Sequence, residues 1–129
     1  MVIDTSAILA ILFDEPERGR FGRLIEADPV RLVSVMSRVE AGFVIEARKG
    51  EAGRVRLERF FDLTSAEIVS ATPEHAELAM DAFRRFGKGR HPAGLNLGDC
   101  FSYALAKATG EPLLFKGDDF SRTDIAVAA

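Results

Sequence analysis

The stretch Val2-Ile3-Asp4-Thr5-Ser6-Ala7 joins a short apolar strand to a helix through an acidic residue. The helix is predicted to run from near Ala7 to about Leu12; it is almost wholly apolar, so we expect it to be buried. Further strand-like segments alternate with helical patterns along the chain, which predicts a parallel sheet covered by helices on both faces. These predicted strands are Val30–Val35, Ile68–Val69, Leu113–Phe115 and Ile125–Ala128.

Cap and breaker residues delimit the other predicted helices, and no linker or repeat interrupts them, so we expect one domain over residues 1–129. The third helix is predicted to open at Ser37 with a capping-box pattern that ends at Glu40. Its predicted apolar stripe is Val39, Phe43, Val44 and Ala47. The remaining predicted helices span residues 16–28, 52–61, 73–87 and 97–108, and Lys49-Gly50 separates the third helix from the fourth.

Composition restricts the classes of function. The chain has 129 residues, is 47% hydrophobic and carries a net charge of −3. This excludes a disordered chain and indicates that bulk charge alone would not attract a polyanion. No apolar run is long enough to cross a bilayer and no signal segment is visible, so the cytoplasm is the expected compartment. The single cysteine, Cys100, agrees with a reducing environment and reads as a small buried hydrophobe.

Acidic residues stand where predicted strands give way to helices or loops: Asp4, Glu40, Asp99 and the pair Asp118–Asp119. Side chains at the carboxyl ends of parallel strands meet in one crevice. Carboxylates gathered there repel one another unless a cation joins them. Because no histidine or cysteine occupies these positions, the set predicts an all-oxygen site for Mg²⁺ or Mn²⁺ rather than zinc.

Each acid also has a purely structural interpretation. Asp4 is suited to cap the first helix, and Glu40 and Asp99 fit the third position of capping boxes that begin at Ser37 and Asn96. The acids at 118–119 suit a solvated turn. The prediction of a site therefore depends on the whole set, whose direct neighbours are apolar.

These motifs resemble the PIN domain and, more narrowly, the VapC-type toxins of bacterial toxin–antitoxin modules. The resemblance rests on the Asp4-Thr5-Ser6 motif, on Glu40 early in a helix, and on two longer segments, and it covers essentially the whole chain. The segments are Leu95-Asn96-Leu97-Gly98-Asp99-Cys100-Phe101-Ser102-Tyr103-Ala104 and Leu113-Leu114-Phe115-Lys116-Gly117-Asp118-Asp119-Phe120.

The resemblance implies an α/β/α sandwich with a mainly parallel sheet of four to five strands, and a Mg²⁺- or Mn²⁺-dependent endoribonuclease. Asp4, Glu40 and Asp99 match the family's first three acids. Many PIN domains place an acid where this chain has Gly117, so the fourth role is assigned to Asp119, with Asp118 as the alternative. Ser6 matches a hydroxyl often near the metal.

The same resemblance implies a cognate VapB-type antitoxin, whose tail occupies the active-site groove, and a homodimer. The predicted third and fourth helices, with Phe60 and Phe61, are candidates for the apolar contact surface, although the same residues also suit the core. The sequence does not separate these two possibilities.

Four basic residues near the acids are candidate RNA contacts: Lys88, Arg90, Arg85 and Lys116. Lys88 and Arg90 lie beyond the end of the fifth helix, where capping explains them less well than phosphate binding. Arg85 also suits the helix dipole, and Lys116 also suits a solvated turn.

Other metal-binding α/β classes fit poorly. A receiver-like signalling domain needs paired acids after the first strand and an aspartate after the third, where the chain has Ser70-Ala71-Thr72. A haloacid-dehalogenase-like phosphatase needs an aspartate at Ser6. A PIN scaffold without catalysis is disfavoured by the intact acids.

Overall fold

Four short parallel strands form the centre of the computed structural model, which describes residues 1–129. They are β1 (Val2–Ile3), β2 (Leu32–Ser34), β3 (Glu67–Val69) and β4 (Leu113–Leu114), in the order β3-β2-β1-β4. The predicted parallel sheet is thus confirmed with four strands. The predicted strand at Ile125–Ala128 was wrong, because this segment meets the sheet only through one parallel bridge, between Leu113 and Val127.

Five helices surround the sheet: α1 (Thr5–Leu12), α2 (Arg18–Ala27), α3 (Val35–Thr64), α4 (Pro73–Phe86) and α5 (Leu97–Thr109). Thr72 caps α4 and Pro73 occupies its first turn, as the sequence predicted. Gly110 ends α5 in the left-handed conformation, with φ of 73°. None of these helices is both long and apolar enough to cross a membrane.

The start of α3 differs from the prediction. Ser34, the last residue of β2, is the N-cap, and its Oγ accepts a hydrogen bond from the Met36 N–H at 3.2 Å. The strand therefore runs directly into the helix, which places Ser37 inside α3, where it is fully buried. The proposed Ser37–Glu40 capping box was wrong, and both side chains are free to make tertiary contacts. The predicted break is present at Gly50, whose φ of 57° and ψ of −141° interrupt the helix.

The core lies on both faces of the sheet because successive strand residues point in opposite directions. Ile3 and Leu114 belong to one apolar cluster together with residues of α1, α2 and α3. Val2 and Leu113 belong to the other, together with residues of α4 and α5. This alternation produces the three-layer arrangement.

The predicted stripe on α3 was partly wrong. Phe43 is 74% exposed and Val39 is 45% exposed, whereas Ala41 and Ile45 are fully buried. The two sets have the same four-residue spacing, and the face with the smaller residues packs inward. Phe60 is buried and packs in the core, and its ring also lines a groove beside the second half of α3.

Candidate active site

Asp4 is fixed at the junction of β1 and α1, where it is only 2% exposed. It caps α1: its Oδ2 accepts hydrogen bonds from the Ser6 backbone N–H at 3.0 Å and from the Ser6 hydroxyl at 2.7 Å. Its Oδ1 accepts a hydrogen bond from the Ser102 hydroxyl of α5 at 2.6 Å. The structural and functional interpretations of Asp4 therefore coexist, because capping the helix also holds the carboxylate at the carboxyl end of β1.

Glu40 reaches from α3 to the first turns of both α1 and α5. Its Oε1 accepts a hydrogen bond from the Thr5 hydroxyl at 2.8 Å. A Cβ added at Gly98 would lie 2.0 Å from the same oxygen, so only glycine lets the carboxylate rest against α5. Burial raises the pKa of the Glu40 carboxyl, and the nearby charge of Asp4 raises it further.

Asp99 forms the predicted capping box with Asn96. The Asn96 N–H donates to Asp99 Oδ2 at 3.0 Å, and the Asp99 N–H donates to the Asn96 side chain at 2.9 Å. Burial raises the pKa of the Asp99 carboxyl to about 7, and smaller contributions come from the charges of Asp4, Glu40 and Asp119. Asp99 is therefore both a helix cap and a member of a group of mutually repelling acids.

The electrostatic surroundings of Asp99 distinguish the two candidates for the fourth acid. The charge of Asp119 acts on Asp99, whereas Asp118 makes no comparable contribution. The Asp118 carbonyl accepts a hydrogen bond from the Ser121 hydroxyl, which suits a turn residue. The charge of Asp119 at Asp99 thus favours Asp119, although the side chains of both residues are exposed.

The donor set fits a hard divalent cation, but the acids do not converge on one point. No three acidic, histidine or cysteine side chains lie close enough together to ligate a single ion directly. The arrangement suits an ion held directly by some of the acids and through water by the others.

Two of the four basic candidates are bound to internal partners. Arg85 contacts Asp81, Asp124 and the Tyr103 hydroxyl at 3.2 to 3.4 Å. The Lys116 ammonium forms ion pairs with Glu15 and Glu17.

Lys88 and Arg90 make no ion pair. They lie in the loop after α4, which is closed by a bridge between Gly87 and Leu95. The Arg90 guanidinium stacks over Phe83 at 5.0 Å, and His91 accepts a hydrogen bond from the Ala93 N–H through its Nδ1. Lys88 and Arg90 therefore remain the basic side chains best placed to meet a phosphate.

The sequence missed the hydroxyl groups of Thr5 and Ser102, which donate to Glu40 and Asp4, and that of Ser37, which contacts the Ser102 hydroxyl. One signal was available for Ser102, because it follows Asp99 by three residues and so shares a face of α5 with it. Cys100 is buried, and burial raises the pKa of its thiol to about 11, which suits the predicted packing role.

The chain was compared with known proteins. The model of the PIN domain family matches residues 1–126. "Ribonuclease VapC30" of Mycobacterium tuberculosis is 53% identical over 129 residues, covering 100% of this chain and 98% of the relative. "Ribonuclease VapC" of Mycolicibacterium smegmatis is 52% identical over 126 residues, covering 98% of each chain.

Solved structures share the fold at lower identity. The sarcin–ricin-loop-cleaving toxin VapC20 of Mycobacterium tuberculosis superposes with a TM-score of 0.78 at 20% identity, covering 97% of this chain and 95% of the other. VapBC2 from Rickettsia felis, bound to a DNA fragment of its promoter, gives a TM-score of 0.72 at 14% identity, covering 98% and 94%.

The raised pKa of Asp99 predicts that the free energy of unfolding of the metal-free chain, measured in EDTA, falls as the pH rises. An acid with pKa 3.8 when unfolded and about 7 when folded binds more protons in the folded state between these values, so its contribution to the free energy of unfolding falls as pH rises through that window. Asp99→Asn keeps the cap and removes the charge. Allowing for solvent screening, we expect the variant to be more stable than the parent by about 1–3 kcal/mol at pH 8.

Urea unfolding at pH 4 and pH 8 checks this, with Asp118→Asn as the control. The stability gain should shrink at pH 4 for Asp99→Asn, and the control should match the parent at both pH values. Equal stability of Asp99→Asn and the parent at pH 8 would contradict the electrostatic account of the site.

Proposed function

Because the chain belongs to the PIN-domain family and, within it, to the VapC ribonucleases, we propose that it is a cytoplasmic, Mg²⁺- or Mn²⁺-dependent endoribonuclease and the toxin of a VapBC-type module. The observation that carries the metal dependence is the gathering of Asp4, Glu40, Asp99 and Asp119 with no basic side chain among them to balance their charge.

The proposed reaction is in-line hydrolysis of an RNA phosphodiester. Asp4 and Asp99 would hold a divalent cation, which would supply the positive charge that neutralises the scissile phosphate and lowers the pKa of the attacking water. Asp4 is held by three hydrogen-bond donors and acts as the fixed anchor. Glu40 and Asp119 would orient the attacking water, and the Thr5 hydroxyl fixes the carboxylate of Glu40 for that role.

Asp4→Asn and Asp99→Asn are each expected to abolish cleavage while the fold is retained. Each change removes a charge that the reaction needs, and a loss of several kcal/mol in transition-state stabilisation lowers the rate by at least about 100-fold. Cleavage of a panel of tRNA and rRNA fragments with Mg²⁺, Mn²⁺ or EDTA measures this, and circular dichroism checks the fold.

Asp118→Asn is the matched control for Asp119→Asn. We expect Asp118→Asn to cleave normally and Asp119→Asn to cleave slowly, because only Asp119 acts on Asp99. Full activity in EDTA, or unchanged cleavage by Asp4→Asn or Asp99→Asn, would refute the proposal.

We propose that Lys88 and Arg90 guide the RNA backbone to the acids. Their replacement by alanine should weaken RNA binding and reduce the slope of log affinity against log salt by about one per lost phosphate contact. Arg54→Ala is the control, since Arg54 pairs with Glu51 and Glu58 on α3. Arg85→Ala should change the slope less, because its guanidinium is bound to Asp81 and Asp124. Titrations with RNA at several salt concentrations measure this slope. An unaltered slope for the Lys88 and Arg90 variants would exclude their role in binding the RNA backbone.

We further propose that the cognate VapB-type antitoxin docks in a groove of about 480 Å³ between α1, α2 and the second half of α3. Its floor is apolar and includes Leu63, which is 72% exposed. Four arginines and one glutamate line it, so an amphipathic segment with acidic flanks is complementary. The lining arginines are Arg18, Arg31, Arg56 and Arg59.

Leu63→Asp should weaken antitoxin binding at least about tenfold, because it places a charge in the apolar floor. Val55→Asp is the matched control: Val55 is an exposed apolar residue of the same helix that does not line the groove. Calorimetry with the cognate antitoxin measures binding, and equal affinities for both variants would place the antitoxin elsewhere.

Light scattering on the isolated chain tests the proposed homodimer, which a monomer mass would exclude.

A further inference from the structure

A chain of buried hydroxyl groups runs behind the acids. The Ser37 hydroxyl of α3 lies 3.1 Å from the Ser102 hydroxyl of α5, which lies 2.6 Å from Asp4 Oδ1. Ser37 and Ser102 are both 0% exposed, and Asp4 is 2% exposed. The chain thus joins α3, α5 and the end of β1 without access to solvent.

The direction of these hydrogen bonds follows from proton counting. A hydroxyl has one proton to donate, and an ionised carboxylate can only accept. Ser102 therefore donates to Asp4, and Ser37 must donate to Ser102. The two serines form an ordered relay that ends on Asp4.

The same counting identifies the oxygen of Asp4 that is open to a cation. A carboxylate offers about four lone-pair positions, two on each oxygen. Oδ2 accepts from the Ser6 N–H and the Ser6 hydroxyl, so both of its positions are used. Oδ1 accepts only from Ser102 and keeps one position.

We propose that Ser102 is a positioning residue for metal binding: its hydroxyl, oriented by Ser37, fixes Asp4 Oδ1 as the single cation-binding oxygen of Asp4. This inference rests on the proposed metal-dependent function. It adds two residues that do not touch the substrate and that act only through Asp4.

Packing alone does not account for these two serines. Small buried residues lie one helical turn after each of them, Ala41 after Ser37 in α3 and Ala106 after Ser102 in α5. Alanine at either position would fill nearly the same volume without a buried hydroxyl that needs a partner. The hydroxyl groups therefore serve the carboxylate rather than the core.

The test is direct titration of the chain with Mn²⁺ by calorimetry, without RNA. Ser102→Ala should weaken Mn²⁺ binding about 10–100-fold, the usual effect of removing a group that orients a metal ligand. Ser37→Ala should weaken it less, because the bond from Ser102 to Asp4 remains. Ser102→Thr, which keeps the hydroxyl, should restore the parent affinity. In cleavage assays Ser102→Ala should lower kcat and leave KM for RNA unchanged.

Ser102→Cys serves as a second variant if Ser102→Ala does not fold, because it keeps the volume and donates weakly; we expect an affinity below that of the parent. Parent-like Mn²⁺ affinity in a folded Ser102→Ala or Ser102→Cys variant would overturn the positioning role, even if stability fell. The metal-dependent function itself would be overturned if the parent chain bound no Mn²⁺, or if the Asp99→Asn variant bound Mn²⁺ as tightly as the parent.

Discussion

Mutual repulsion among carboxylates at one edge of the sheet is the constraint around which this structure is built. Asp4, Glu40 and Asp99 come from three separate segments; the charge of Asp4 raises the cost of ionising Glu40, and the charges of both raise the cost of ionising Asp99. The fold offsets that cost with hydrogen-bond donors from its own helices, and none of these donors is a charged side chain. The absence of a local base leaves the group with negative charge that a divalent cation can neutralise.

The strand ends and the first turns of the helices position these side chains at the same edge of the sheet. The strand β1 ends at Ile3 and β4 ends at Leu114, so the residues that follow emerge at a common edge. The first turns of α1 and α5 lie at this edge, where capping acids are locally favoured. The positions that cap these helices therefore also place the acids at the site. Gly98 leaves the space that the Glu40 carboxylate occupies beside α5.

Sequence patterns predicted the parallel sheet from the alternation of strands and helices, and most helix boundaries from local signals such as Thr72-Pro73 and Asn96–Asp99. They failed where two sets of residues in one helix had the same spacing. Val39 and Phe43 repeat at the same interval as Ala41 and Ile45, so spacing alone does not show which pair is buried. Likewise, Ser37 has the pattern of a cap, but Ser34 already fills that role at the end of β2. Ser37 and Ser102 are 65 positions apart in the sequence, so no local pattern predicts their contact.

The acids of the site are not equivalent, and the difference lies in how many donors each has. Asp4 has three, whereas Glu40 accepts one hydrogen bond and Asp99 accepts one from the Asn96 backbone. More donors stabilise the charged form and also fix its position. Asp4 is therefore the carboxylate held most firmly in place, while burial and neighbouring charges raise the pKa of the Asp99 and Glu40 carboxyls, a cost that a bound cation would relieve. A cation would stabilise the site chiefly through Asp99, although Asp4 determines where it binds.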